Sequence, residues 1–182
     1  RDGDYHIKVE AGGELRAGNS TFTSASNYTH YNFSIYGKTT LLNCTIERTW
    51  SDWIWDTGGL EIFSSSVSVT DCRIRWSKAY DTLITGCSPR FTNTTFTECN
   101  RTAIVTMLNA RPVFERCTII NNLRYGMETN DDSAPEFLNG SISNFSSVAL
   151  TSYDWSTPRM EGNLINGHSW GAIETWDNSS PI

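Results

Sequence analysis

The sequence predicts an all-β solenoid, with three short parallel strands per turn and about seven turns. Three observations predict it. One phrase returns at a nearly constant interval, the residues around it alternate apolar and polar, and no stretch keeps the i, i+3, i+4, i+7 spacing of a helix.

The interval is read from the small residue in each phrase. These markers are Ser20, Cys44, Cys72, Thr94, Cys117, Gly140 and Asn163, separated by steps of 24, 28, 22, 23, 23 and 23. Two residues later stand Phe22, Ile46, Ile74, Phe96, Ile119, Ile142 and Ile165, apolar in every copy. Three residues before, from the second copy on, stand Leu41, Val69, Phe91, Phe114, Phe137 and Met160. A second alternating segment places Ile104, Met127, Leu150 and Ile173 ten past their markers, and Thr106, Thr129, Ser152 and Thr175 twelve past. Period-2 alternation marks strands with one buried face. Gly, Pro, Asn, Asp and Ser collect between them, as turns require. Strands that return every 22 to 24 residues without helices must pair with the next copy, like over like, at about 4.8 Å.

The phrase F-x-x-C-T-I followed by G-M/I-x-T resembles the right-handed parallel β-helix repeats of the pectate-lyase-like and NosD-like proteins, over about residues 7 to 182. The resemblance implies one right-handed parallel β-helix domain spanning 1–182, in about seven coils of 22–28 residues. It leaves function open among lyases, hydrolases, adhesins and surface-layer modules, because fold does not fix activity. A leucine-rich repeat fits worse. Its Asn would recur, whereas the equivalents of Asn122 are Cys99, Phe145 and His168, and no repeat has a helical half. The segment from Tyr5 begins in mid-coil, and "SSPI" at the end matches the starts "SAPEF" and "STPRM". Since solenoids need capped ends, the expectation is a fragment of a longer chain, or ends covered by neighbours.

Fourteen basic residues against 20 acidic ones give a net charge of −6, with no Lys/Arg-rich run, which argues against nucleic-acid binding. Apolar runs are too short for membrane insertion of this segment, and the chain opens at Arg1 without an apolar signal segment, as a mature or excised piece would. Nine asparagines start N-x-S/T sequons: Asn19, Asn27, Asn32, Asn43, Asn93, Asn100, Asn139, Asn144 and Asn178. Chance placement of the 15 asparagines would give roughly three or four. Asn19, Asn43, Asn93 and Asn139 each precede a marker and point outward, so a sugar-bearing face is expected on an extracellular, cell-surface protein. The competing reading is that outward Asn and Thr serve cross-strand hydrogen bonds.

Cys44, Cys72 and Cys117 occupy the inward marker position and read as a buried ladder of small hydrophobes. A disulfide between Cys44 and Cys72, in adjacent coils, is conceivable, and neither Cys87 nor Cys99 is expected in a catalytic site. The sharpest chemical candidate is a row of acids. Asp131, Asp154 and Asp177 fall 14 past their markers in three consecutive coils, flanked by Tyr153, Trp155 and Trp176, with Glu128 and Glu174 pointing outward on the same side. Carboxylates stacked this closely repel unless one is protonated or a cation sits between them. The row suits a Ca²⁺ site or acid/base carboxylates for glycoside chemistry, set against the plain role of Asp as a turn former.

The resemblance adds no catalytic set. The hydrolases of this type carry N-T-D, D-D, G-H-G and R-I-K motifs. Here only "NDD", ending at Asp132, and "GHS", holding His168, are comparable. The lyases pair Ca²⁺ carboxylates with a nearby base, whereas Arg101 and Arg124 belong to a turn away from the Asp row. NosD proteins are linked to copper delivery, and the isolated His6, His30 and His168 form no such cluster. The long coil holds "ERTWSDWIWDTGG", whose Trp50, Trp53 and Trp55 suit either a sugar platform or a cover over exposed core. The expected function is a secreted, glycosylated structural or adhesive module, carbohydrate-binding or self-assembling, with carbohydrate or neighbouring surface-protein subunits as partners. The alternative is a polysaccharide lyase or glycoside hydrolase using the Asp row.

Overall fold

The computed structural model describes residues 5–26, 29–50 and 59–182. Every regular element in them is a strand, and every pairing is parallel. Among these residues no helix is long and apolar enough to cross a membrane. The strands form three sheets that the chain visits in rotation. Sheet A stacks Tyr5–Val9, Tyr31–Ile35, Leu60–Ile62, Thr82–Thr85, Ile104–Met107, Met127–Thr129, Val148–Ser152 and Gly171–Thr175. Sheet B runs from Glu14–Gly18 to Arg159–Glu161, and sheet C from Thr21–Phe22 to Leu164–His168.

The expected register is present. Phe22, Ile46, Ile74, Phe96, Ile119, Ile142 and Ile165 lie opposite one another in one unbroken column of sheet C. Leu41, Val69, Phe91, Phe114, Phe137 and Met160 do the same in sheet B. Sheet A adds Leu60, Thr82, Ile104, Met127, Leu150 and Ile173. The three columns meet along the axis and bury each other through the middle coils, while Phe22, Met160, Ile165 and Ile173 in the end coils stay partly exposed. Phe114 stacks on Phe91 with ring centroids 4.9 Å apart and meets Phe96 edge-on at 6.0 Å.

The corners follow one backbone rule. Between sheets B and C the chain turns on a single left-handed residue. It is Asn19, Asn43, Asp71, Asn93, Arg116 or Asn139, with φ between 49° and 54°, and Gly162 in the last coil. Between sheets C and A the same role falls to Arg48, Trp76, Glu98, Asn121, Asn144 and Gly167. Between sheets A and B the turn uses left-handed pairs, among them Leu108–Asn109, Asp131–Asp132, Asp154–Trp155 and Asp177–Asn178. Asn and Asp visit this region more readily than other side chains, because their short polar groups bond locally. The asparagines also bond coil to coil. Asn43 Nδ2 donates to Asn19 Oδ1 at 2.7 Å, and Asn93 Nδ2 to Asp71 Oδ1 at 3.0 Å. Asn43→Ala is therefore expected to cost about 1 kcal/mol or slightly more, while Asn43→Gly is close to neutral. Urea denaturation of the two variants checks this.

All five prolines share one column, Pro89, Pro112, Pro135, Pro158 and Pro181, just before sheet B. Proline offers no N–H to a ladder, but its carbonyl still accepts. Val113, Glu136, Arg159 and Ile182 donate their N–H groups to the first four, at 2.9 to 3.0 Å. Ile182 also accepts from Met160 N–H at 2.7 Å, so "SSPI" pairs with sheet B in the register of "SAPEF" and "STPRM".

Several inward polar groups at the corners are paired along the axis. Thr49 Oγ1 and Ser77 Oγ share a hydrogen bond of 2.9 Å, and Cys99 N–H donates to Asn122 Oδ1 at 2.9 Å. Asp81 breaks this pattern. It precedes Thr82 in sheet A and stacks on Ala103 and Gly59, in a column that continues with Gly126 and Ala149. Its side chain is fully buried, and neither carboxyl oxygen has a hydrogen-bond partner.

Candidate functional site

Alternation in sheet A turns Ser34, Glu61, Leu83, Val105, Glu128, Thr151 and Glu174 away from the core, in one column across seven strands. An outer face built this way is normally wet. Here Leu83 and Val105 are only 4% and 1% exposed, and they lie outside the central core cluster. Thr151 is likewise buried. The outward side chains of the middle strands of sheet A are therefore covered by their neighbours.

Towards the last coils this face carries a groove of about 570 Å³. Tyr125 and Trp170, which precede their strands, form one side. Tyr153 and Trp176, which follow theirs, form the other, with Glu174, Arg124 and Val148 also lining the space. The Arg124 guanidinium lies over the Tyr125 ring at 4.8 Å. Burial pushes the Tyr153 phenol up, and Tyr125, Glu128 and Glu174 nearby push it further. Asn130 Nδ2 donates to Glu128 Oε1 at 3.3 Å, which steadies that carboxylate at the margin. Trp170 and Trp176 are 85% and 52% exposed. Large flat apolar rings held open to water beside hydrogen-bonding groups can stack on the faces of a sugar while the polar groups bond its hydroxyls.

The sequence-predicted residues are distributed unevenly around this groove. Trp176 lines it, with Tyr153 and Glu174 beside it. Trp155 sits on a left-handed turn, 64% exposed, and is not among the lining residues. Trp50 belongs to a separate cluster, where Lys78 Nζ lies 3.5 Å from the centroid of its ring and His30 meets it at 6.1 Å. Burial, with Lys78 and Arg48 adding to it, holds His30 below the usual imidazole range. Trp53, Trp55 and Asn27 lie outside the described residues.

Asp131, Asp154 and Asp177 do stack in consecutive coils. The N–H following Asp131 donates to the Asp154 carbonyl at 2.9 Å, and the one following Asp154 to the Asp177 carbonyl at 3.1 Å. Each has positive φ and opens a left-handed pair, so the backbone accounts for an Asp there. Asp154 and Asp177 are exposed, and none of the three lines the groove. Among the described residues no three His, Cys, Asp or Glu side chains gather closely enough to hold a metal ion.

The sequons follow the corners too. Asn19, Asn43, Asn93, Asn139, Asn144 and Asn178 all have positive φ. Thr21, Thr45, Thr95 and Ser141 begin the next strands of sheet C. A left-handed Asn followed two residues later by an outward strand residue spells N-x-S/T for backbone reasons alone. Asn32 is half-buried, with its amide donating to Glu61 Oε2 at 3.2 Å. Asn100 is exposed and sits at no left-handed corner, so the fold does not account for its sequon.

All five thiols are free and buried. Burial pushes Cys72 and Cys87 up to about 11 and Cys117 to about 12. Thiols so protonated are poor nucleophiles.

Tyr125, Trp170 and Arg124 are among the groove residues that sequence reasoning did not place in a site. Their signal is weak, because they fall seven or eight past their markers, before the strand begins. Only the stacking of coils shows that they face Tyr153 and Trp176 across Glu174.

The family model of a right-handed β-helix region matches residues 32–182. Comparison with curated proteins and with solved structures found no match. The match covers most of the chain and agrees with the three parallel sheets, their stacked columns and the rotation of the chain among them; the chain belongs to the right-handed β-helix family.

Proposed function

We propose that the chain is a rigid, extracellular, glycosylated β-helix module that binds carbohydrate in the groove on the outer face of sheet A. One observation carries the reading. Four aromatic rings, Tyr125, Tyr153, Trp170 and Trp176, flank a recess that also presents Glu174 and Arg124. The strand spacing of about 4.8 Å repeats along the recess, so an extended polymer lying parallel to the solenoid axis would meet equivalent backbone positions at each step. For glycan attachment, exposed Asn100 is the best-placed acceptor, since its amide is committed to no corner.

Titration with neutral, acidic and amino oligosaccharides, followed by tryptophan fluorescence and by isotope-edited NMR, tests the groove. Trp176→Ala and Trp170→Ala are each expected to weaken binding by ten-fold or more, whereas Trp50→Ala leaves it unchanged. Absence of binding in all three sugar classes, or equal binding by the Trp176 and Trp170 variants, overturns the reading.

A second reading, hydrolysis, is favoured by Glu128 and Glu174. They point the same way from strands two steps apart, with Thr151 between them. That places their backbones roughly 9 to 10 Å apart, from which the side chains can reach the carboxyl separation of about 6.5–9.5 Å that holds a water between acid and base. The same titration separates the two, because a binding module returns the oligosaccharide intact.

A further inference from the structure

We propose that Cys44 and Cys72 are a disulfide-forming pair that staples together the two coils flanking the longest turn of the solenoid. The two residues occupy the same inward column in adjacent coils, next to the registered pair Thr45 and Arg73. Cys44 N–H donates to Cys72 Sγ at 3.3 Å, and Arg73 N–H to the Cys44 carbonyl at 2.9 Å. Stacked residues of neighbouring parallel strands are about 4.8 Å apart, inside the Cα separation that a disulfide accepts. In the reduced form Cys44 Sγ makes only weak bonds to the carbonyls of Leu42 and Ala17, at 3.4 and 3.5 Å. Rotation of Cys44 about Cα–Cβ gives these up and turns its sulfur towards Cys72.

The position of the pair has a physical reason. Cys44 and Cys72 are 28 residues apart, whereas the other coils take 22 to 24. The excess falls in the coil that holds residues 51–58. A cross-link that closes a long loop removes more freedom from the unfolded chain than one that closes a short loop. No other two cysteines stand in adjacent coils of the marker column, where Thr94 separates Cys72 from Cys117.

The chemistry is thiol–disulfide exchange with a disulfide oxidant such as oxidised glutathione. One cysteine thiolate attacks the oxidant and releases one reduced thiol. The second cysteine, having lost its proton, displaces the other. The new S–S bond forms as the oxidant's S–S bond breaks, and two electrons pass to the oxidant, which leaves as two thiols. Burial raises the Cys72 thiol and closes the column to solvent, so the exchange takes place before the coils stack.

The test is refolding of the full 182-residue chain in a glutathione redox buffer and, separately, in excess reductant. Alkylation under denaturing conditions and peptide mass analysis then assign the linkage. The expected product has one disulfide, Cys44–Cys72, with Cys87, Cys99 and Cys117 alkylated. Its urea midpoint is higher than that of the reduced protein, and the difference disappears in Cys72→Ala. Five alkylated cysteines after oxidative refolding, or a linkage through Cys87, Cys99 or Cys117, overturns the proposal. Neither outcome bears on sugar binding, which is read from the groove.

Discussion

Phe114→Ala is expected to lower the free energy of unfolding by about 3–5 kcal/mol, the range for deleting a buried aromatic ring. Phe114 is fully buried and sits mid-column. Its ring contacts Phe91, Phe96 and Phe137, with centroids 4.9 to 6.0 Å away. The coils on either side are held in register by the strands of all three sheets, so they cannot collapse into the space, and the cavity cost adds to the lost transfer energy. Phe22 provides the control. It stands at the end of the sheet C column and is only half-buried, so Phe22→Ala costs much less. Urea denaturation followed by far-ultraviolet circular dichroism measures both. Equal losses for the two would mean that the central column is not the tightest part of the core.

Asp81→Asn is expected to stabilise the protein at neutral pH. Burial pushes the Asp81 carboxyl well above the usual carboxylate range. Ser77 and the Thr97 backbone face it without closing a hydrogen bond, and Glu98 adds a like charge nearby. The native state thus holds the proton more tightly than the unfolded chain does. The sign follows directly. The contribution of Asp81 is most favourable below the unfolded pKa, near 4, and is lost as pH rises towards the raised folded value. Within that window stability falls by about 1.4 kcal/mol per pH unit from this group alone. The asparagine variant keeps the shape and removes the titration. It should match the parent near pH 3 and exceed it increasingly above pH 4, as measured by urea midpoints across pH 3–8. A parallel pH dependence in the two proteins would show that Asp81 is not the group responsible.

The solenoid was readable in the sequence because each corner imposes the same demands on every coil. Asn43, Asn93 and Asn139 answer the left-handed backbone, Cys44, Thr94 and Gly140 the crowded interior beside it, and Ile46, Phe96 and Ile142 the core. Three constraints within four residues, repeated at a fixed interval, make a phrase. The same regularity gives the candidate chemistry a second, purely structural account. The Asp131, Asp154 and Asp177 row is periodic because turns are periodic, and the sequon row for the same cause. The groove obeys no such rule. Tyr125, Tyr153, Trp170 and Trp176 come from three coils and from both flanks of sheet A; Tyr153 and Trp176 share a column, but Tyr125 and Trp170 stand in two others, so the four rings never recur as a set. Asp81 was hidden for the opposite reason. It is the one acid in a column of Ala103, Gly126 and Ala149, and its column becomes visible only when the register is known.

Among the described residues, every backbone hydrogen bond between coils runs along the solenoid axis, and each coil bonds only to the one above and the one below. Tension applied along that axis therefore loads the bonds of one end coil at a time, and the chain peels like a spring unwound from its tip. Tension applied across the axis must shear whole sheets together. The molecule is thus mechanically anisotropic, compliant when drawn out lengthwise and stiff when squeezed from the side.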